Sequence, residues 1–200
     1  MMAGHGCQGR GAPSGTAARG QSVANLGSVP VRTDSFDLGG LRLGSGAGRR
    51  LQLNVAIDDF ILGGERYRVE GELIPVQLDV SRTTANGYAL RLRFDARLAG
   101  PCMRCLEPAS PTIVVESREV SQPGEVEELE SPYLEGEVLN LHAWARDALG
   151  LSLPAQLLCR AECAGLCPVC GTDLNNAGPD HGHQAPADPR WAKLSEIRFQ

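Results

Sequence analysis

Six of the seven cysteines fall into three close pairs, and this spacing constrains the fold more than any other feature. Two or three residues separate the members of each pair, which are Cys102 and Cys105, Cys159 and Cys163, and Cys167 and Cys170. No apolar run approaches the roughly 18 residues of a membrane span, and the N-terminus lacks a signal-peptide core. We therefore expect a cytoplasmic protein with reduced thiols, in which clustered cysteines are typically metal ligands.

Two histidines downstream complete a plausible set of zinc ligands. His181 and His183 follow the last cysteine pair and bring the number of candidate donors to eight. Eight donors are enough for two tetrahedral zinc sites, so we expect one or two Zn²⁺ per chain. Between Cys167 and Cys170, Pro168 stiffens the turn, and the following Gly171 accepts the positive φ that lets backbone N–H groups approach the sulfurs.

The sequence leaves two ways of pairing these ligands. In the preferred arrangement the first two cysteine pairs share one ion, and the third pair joins the histidines in a second, local site. In the alternative, Cys102 and Cys105 join Cys167 and Cys170 in a ribbon-like site. The remaining cysteines and the histidines then have a weaker claim.

Enzymatic uses of these residues fit less well. A redox Cys-x2-Cys needs a helix N-terminus in a βαβ setting, whereas Cys102 lies between two predicted strands. A catalytic zinc keeps one position open for water, and the His-x-Glu of zinc deaminases does not occur in the chain. We therefore expect a protein that is not an enzyme and takes no small-molecule substrate.

Alternating apolar residues predict a β-rich domain before the last two cysteine pairs. The clearest strand runs from Leu90 to Leu98, and the segment from Thr112 to Val120 reads as its antiparallel partner. Asn86-Gly87 predicts a two-residue hairpin turn before the first of these strands. The predicted fold class is α+β, mainly antiparallel sheet with short helices and a Cys-rich, zinc-binding C-terminal segment.

Helix signals and composition divide the rest of the chain. Asn140 is expected to cap a short helix with Gly150 at its C′ position, and Asp188 is expected to begin a last helix. Residues 122–136 read as an acidic, mobile loop. The predicted organisation is a disordered leader over residues 1–28, the β-rich domain over 29–158, and the zinc-binding segment with its helix over 159–200.

Arginines on one face of the clearest strand are candidates for contacting nucleic acid. Arg91, Arg93 and Arg97 alternate with its apolar residues and can reach phosphates. The competing interpretation is a solvated sheet face that Asp95 partly neutralises. The net charge of -5 and the 4% of aromatic residues do not indicate a general nucleic-acid binder.

The order of motifs resembles a known family. A Cys-x-Arg-Cys-Leu hairpin from Cys102 to Leu106 precedes an acidic loop and a short helix ending in Leu151-Ser152-Leu153-Pro154. The second cysteine pair follows, then the run from Gly165 to Asn175, and finally Asp188-Pro189-Arg190-Trp191-Ala192-Lys193-Leu194. Together these motifs, over about Val29 to Leu194, resemble the YceD family of bacteria and plastids, the large ribosomal RNA subunit accumulation proteins.

The resemblance implies a function that the composition does not announce. Family members are implicated in accumulation or processing of 23S rRNA, which implies a factor in large-subunit biogenesis with no known catalytic activity. The implied partners are large-subunit precursor rRNA, a ribosomal protein, or both. Many members carry Cys-x-Cys where this chain has His181-Gly182-His183, an exchange that a retained zinc position tolerates. The alternative function is a zinc-ribbon module that binds protein or acts in transcription.

Overall fold

The computed structural model describes residues 30–122, 130–183 and 190, and within them antiparallel strands dominate. The strands are β1 Ser35–Asp37, β2 Gly48–Val55, β3 Phe60–Leu62, β4 Glu65–Val69, β5 Ile74–Arg82, β6 Tyr88–Pro101, β7 Pro108–Ala109, β8 Thr112–Ser121, β9 Leu134–Glu135 and β10 Val138–Asn140. One α-helix, α1, spans Leu141–Leu151, and a 3-10 turn spans Gly39–Leu41. With the cysteine-rich end that follows, this architecture confirms the predicted α+β class.

The long strand β6 is the centre of the main sheet. Strands β5 and β4 both pair with β6, and β2 and β3 extend the sheet beyond them in the order β2-β5-β6-β4-β3. Strands β7 and β8 also pair with β6, along its opposite edge. β8 is antiparallel to β6 over its whole length, from Tyr88↔Ser121 to Arg97↔Thr112. The predicted strand and its predicted partner are both confirmed. A separate small sheet has the order β1-β10-β9.

Strict alternation along β6 builds the hydrophobic core. Leu90, Leu92 and Leu98 are buried, together with Phe94 and Ala96, while the residues between them lie on the outer face. Each fully buried large apolar side chain contributes about 1.5–3 kcal/mol relative to an exposed one. Helix α1 packs on the buried face of the sheet, and the opposite face of the sheet is exposed to solvent.

The helix begins where the sequence predicts and ends later. The Asn140 side chain accepts a 3.0 Å hydrogen bond from the N–H of Ala143, which confirms the predicted N-cap. The predicted C′ position at Gly150 is wrong, because the helix continues through Leu151 and is capped by Ser152. A Cβ at Gly150 would lie 3.4 Å from the Phe60 ring, which is an ordinary van der Waals contact.

The connection before β6 is longer than the predicted two-residue turn. It spans residues 83–87, and the N–H of Gly87 donates to the Thr83 hydroxyl at 2.9 Å. Asn86 takes a φ of 60°. A Cβ at Gly87 would collide with the carbonyl of Ser121, so Gly87 is required for close approach of the chain end of β8.

Several predicted features fall wholly or partly outside the described residues. These are the leader over residues 1–28, the helix beginning at Asp188, and residues 123–129 of the acidic loop. The rest of that loop contains strand β9. The domain limits at residues 28 and 158 stay predictions. No helix in the part of the chain that the structure describes is long and apolar enough to cross a membrane.

Candidate metal centres

The first cysteine pair lies in a tight turn at the end of β6. The N–H of Cys102 donates to the carbonyl of Glu107 at 2.8 Å, and the N–H of Leu106 donates back to Cys102 at 3.0 Å. Leu106 accordingly takes a φ of 64°, and its side chain is exposed. The turn points the sulfurs of Cys102 and Cys105 into a buried pocket.

Cys159 and Cys163, which are far from the first pair in sequence, place their sulfurs beside those of Cys102 and Cys105. The sulfurs of Cys102 and Cys163 lie 3.8 Å apart, and those of Cys105 and Cys159 lie 3.6 Å apart. All four sulfurs lie within 4.8 Å of one another. A tetrahedral ion with Zn–S bonds of about 2.3 Å holds its sulfurs ~3.8 Å apart, so the four thiols fit zinc. We call this set of residues cluster one.

Hydrogen bonds from the backbone and from the Arg104 side chain hold the two halves of cluster one together. The N–H of Met103 donates to the carbonyl of Leu157 at 2.9 Å. From the same turn, Arg104 donates through Nη1 to the carbonyl of Cys163 at 2.9 Å and through Nε to Gln156 at 3.1 Å. The C-terminal segment is thereby bound to the end of the sheet by protein atoms as well as by the thiol cluster.

The electrostatics of cluster one favour a thiolate at one position. Burial opposes ionisation of Cys102, but backbone N–H groups donate to its sulfur and lower its pKa to about 6; they belong to Cys105, Arg104 and Cys159. At Cys105 the N–H of Glu107 favours the thiolate, yet burial and the neighbouring sulfurs prevail and raise its pKa to about 12. A divalent cation would reverse this opposition by stabilising every thiolate at once.

A second set of four donors lies in the loop that follows. It contains Cys167, Cys170, His181 and His183, whose ligand atoms also lie within 4.8 Å of one another. The Cys170 sulfur lies 3.2 Å from Nε2 of His183 and 3.7 Å from Nε2 of His181. Tetrahedral zinc holds a sulfur and an imidazole nitrogen ~3.6 Å apart, so these residues also fit zinc. We call this set cluster two.

Cluster two is more exposed than cluster one. Cys167 is buried, but Cys170 and both histidines reach solvent. Its turn is closed by the N–H of Gly171, which donates to Cys167 at 2.8 Å and takes a φ of 73°, as the sequence predicts. The Thr172 hydroxyl lies 3.1 Å from the Cys170 sulfur. Hydrogen bonds from this hydroxyl and from the Thr172 N–H stabilise the Cys170 thiolate and lower its pKa to about 6, with smaller help from Cys167 and His183.

Asn175 supports cluster one, and nothing in the sequence motifs predicts this role. Its amide nitrogen lies 3.6 Å from the Cys163 sulfur, and its Oδ1 accepts from the N–H of Ala164 at 2.8 Å. Asp173 fixes the same side chain through a 2.7 Å hydrogen bond. The Asp-x-Asn spacing after the last cysteine pair is the signal that indicates such a supporting turn.

The geometry bears on the two pairings that the sequence left open. The cysteines at 102, 105, 159 and 163 come together, and those at 167 and 170 lie with the histidines. The ribbon-like alternative, with Cys102 and Cys105 beside Cys167 and Cys170, is not the arrangement in the structure. Each cluster offers four protein donors and so fills a tetrahedral shell, which is typical of structural zinc.

The predicted arginine face lies on the outer side of β6. Each of its three arginines contacts a carboxylate: Arg91 with Glu116 at 2.7 Å, Arg93 with Asp79 at 2.7 Å, and Arg97 with Glu70 at 3.4 Å. These are partly exposed pairs of small individual stability. A phosphate that bound here would have to compete with those carboxylates.

Comparison with known proteins gives relatives without an assigned activity. Uncharacterized proteins of Mycobacterium bovis and Mycobacterium tuberculosis are 34% identical over 134 residues, which cover 64% of this chain and 63% of each relative. The chain therefore spans slightly less than two thirds of the length of these relatives. An uncharacterized protein of Mycobacterium leprae is 47% identical over 51 residues, covering 26% of this chain and 23% of the relative. No solved structure matches.

A family profile matches the part of the chain that carries clusters one and two and the strands β6 and β8. The profile is that of the large ribosomal RNA subunit accumulation protein YceD, and the match covers residues 90–198. That range begins in β6 and includes all eight predicted zinc ligands. The match covers more than half of the 200 residues, and the chain belongs to the YceD family.

Proposed function

We propose that this protein is a non-enzymatic assembly factor that promotes accumulation or processing of 23S rRNA and biogenesis of the large ribosomal subunit. Membership of the YceD family over residues 90–198 carries the proposal, because the family name itself implies a role in large-subunit rRNA accumulation. The direct partner is large-subunit precursor rRNA, a ribosomal protein, or both. Arg91, Arg93 and Arg97 are the proposed phosphate contacts if RNA is the partner.

Zinc has a structural role in this proposal. Cluster one would hold one ion through four thiolates, and cluster two would hold a second through two thiolates and two imidazoles. The donor types and their 3.2–3.8 Å separations support this assignment. In both sites the metal supplies folding free energy rather than reactivity, since a filled shell leaves no position for substrate or water.

The mechanism that follows is scaffolding. Zinc at cluster one fastens the segment after Leu157 to the end of β6, and zinc at cluster two shapes the loop beyond it. A rigid surface made from two distant parts of the chain then docks on the assembling particle. Preorganisation of this kind improves affinity because less chain entropy is lost on binding.

Co-sedimentation tests the ribosomal part of the proposal. The tagged full-length chain should enrich in fractions that contain large-subunit precursors and precursor 23S rRNA. A Cys102→Ser/Cys163→Ser variant should lose that enrichment, whereas Cys7→Ser, outside both clusters, should retain it. Absence of the wild-type chain from precursor fractions would contradict the proposal. Enrichment with transcription complexes would instead support the alternative zinc-ribbon module.

Native mass spectrometry with metal analysis tests the zinc part. Two zinc ions per chain are expected. If the wild-type chain carries one zinc ion and a His181→Ala/His183→Ala variant retains it, the histidines are not metal ligands. A chain that folds and carries no zinc would overturn the structural role of the metal.

A further inference from the structure

Strand β8 is an edge of the main sheet. It pairs with β6 from residue 112 to residue 121 and has no second partner strand among the described residues. Among the described residues, this ten-residue edge has a row of backbone donors and acceptors without a partner strand, which is a template for another strand.

The hydrogen-bond phase shows which residues face the free edge. The N–H of Leu98 donates to the carbonyl of Pro111 at 3.2 Å, directly across the ladder. The odd-numbered residues of β8 therefore form their backbone hydrogen bonds with β6. The even-numbered residues of β8 direct their N–H and C=O groups toward the free edge. On the other side of β6, the N–H of Glu70 donates to Arg97 at 2.8 Å, as the same phase requires.

The outward residues form a pattern that is complementary to itself. They include Val114, Glu116, Arg118 and Val120, which are placed symmetrically about Ser117. Val114 is 74% exposed and Val120 is 52% exposed, and both are among the exposed large hydrophobic residues of the described chain. A two-fold rotation about Ser117 exchanges the positions of the two valines, and it exchanges the position of Glu116 with that of Arg118.

We propose that a second copy of this chain pairs with β8 antiparallel, about a two-fold axis through Ser117. Glu116 then lies opposite Arg118 of the second copy, and Val114 lies opposite Val120 of the second copy. Because all of these residues have outward-facing backbone groups, the pairing adds about eight inter-chain hydrogen bonds. The result is one sheet that continues through both copies, with an isologous interface.

Charge selects this register over its neighbours. A shift that preserves the backbone phase centres the axis on Glu116 or on Arg118 and places like charges directly opposite each other, which is destabilising. A shift by one residue turns the side chains to the wrong face. The same charges also disfavour an arbitrary strand at this edge, which favours a second copy as the occupant.

The existing contacts of Glu116 are compatible with this pairing. Its carboxylate accepts from Arg91 on β6 at 2.7 Å and from Arg118 on its own strand at 2.9 Å. In the dimer Arg91 retains its contact, and Arg118 turns to the carboxylate of the second copy. Each Glu116 thus keeps two arginines as neighbours, and no buried charge is left unpaired.

Sedimentation equilibrium of the full-length chain with complementary charge variants tests the proposal. Wild type should be dimeric in the micromolar range. Glu116→Arg and Arg118→Glu should each weaken self-association by about tenfold or more, because both cross-strand pairs become repulsive. An equimolar mixture of the two variants should recover the dimer, since every opposing pair is again complementary. Arg68→Glu makes the same charge change away from this strand and should leave the dimer intact.

Three outcomes would overturn the proposal. The first is a wild-type chain that is monomeric throughout the micromolar range. The second is a dimer that neither charge variant weakens, since the interface must then lie elsewhere. The third is weakened association in each variant without recovery in the mixture. Circular dichroism of each variant separates lost pairing from lost folding.

Discussion

The guanidinium Nη1 of Arg104 donates a 2.9 Å hydrogen bond to the carbonyl oxygen of Cys163. Arg104 lies between the two cysteines of the first pair, and Cys163 is the last cysteine of the second pair. Two segments that are far apart in sequence are therefore joined by a protein contact at the same place where a metal ion would join them. In the proposed zinc-binding protein, this contact would help to hold the thiols together before the metal binds.

Replacing Arg104 should weaken the apo protein. Arg104→Ala removes the contacts to Cys163 and Gln156, and we expect a loss of about 1 kcal/mol in the free energy of unfolding. Urea denaturation of the metal-free protein measures it. Arg68→Ala is the control, and an equal loss in both variants would contradict the role assigned to Arg104.

The two clusters should differ in how much stability depends on them. Cys163 is buried beside Cys102, whereas Cys170 is exposed. We expect Cys163→Ser to lose one zinc and several kcal/mol of stability, because the metal there fastens two segments. Cys170→Ser should lose one zinc with a much smaller fall in Tm. Thermal unfolding and metal content are measured on the same samples, and equal shifts in Tm would contradict the prediction.

Zinc binding at cluster one should release at least two protons near neutral pH. Cys105 has its pKa raised to about 12, and the pKa of Cys159 is also raised, chiefly by burial, so both are thiols in the apo protein. Both must lose a proton to bind, so the zinc affinity of cluster one should rise with pH by at least about a hundredfold per unit in this range. Below about pH 6 the zinc affinity falls more steeply with decreasing pH, because Cys102 also becomes protonated.

Calorimetry in buffers of different ionisation enthalpy counts these protons. A Cys170→Ser/His183→Ala variant confines the measurement to cluster one. Release of fewer than two protons per zinc would show that the apo thiols are already ionised and would contradict the assigned pKa directions.

Gly100 should be required for the correct approach to the first cysteine pair. A Cβ at this position would collide with the ring of Tyr67, whose hydroxyl donates to the carbonyl of Pro101 at 2.9 Å. We expect Gly100→Ala to cost about 2 kcal/mol and to weaken zinc binding at cluster one. Gly178→Ala, where a Cβ meets nothing within 4 Å, is the matched control. Unfolding free energies and a competing chelator give the two readouts.

The sequence predicts those features whose cause is local. Alternation identifies β6 because one face of the strand is buried, and ligand spacing identifies the tight turns because two residues suffice to bring two sulfurs together. The role of Gly87 was predicted incorrectly, because its cause is the carbonyl of Ser121 on another strand. The predicted C′ position at Gly150 is also wrong, because the helix includes Gly150 and continues to Leu151.

The supporting residues of the clusters depend on tertiary contacts. Arg104 and Asn175 lie within the motifs that the sequence analysis singled out, but nothing local indicates that both bind atoms of the same cysteine. The carboxylates beside Arg91, Arg93 and Arg97 lie on other strands or at their ends. Strand register decides such pairings, and the pattern within one strand does not contain it.

The sequence separation within cluster one has a consequence for synthesis of the chain. Cys105 and Cys159 are 54 residues apart, and Cys102 and Cys163 are 61 residues apart. All the strands from β2 to β8 are synthesised before the second pair of thiols has been made. The nascent sheet therefore carries two unsatisfied sulfurs at its end for the time needed to translate α1 and the segment after it. If cluster one holds zinc as proposed, capture of the ion by all four thiols is a late event and distinguishes a chain that includes Cys163 from one that stops before it.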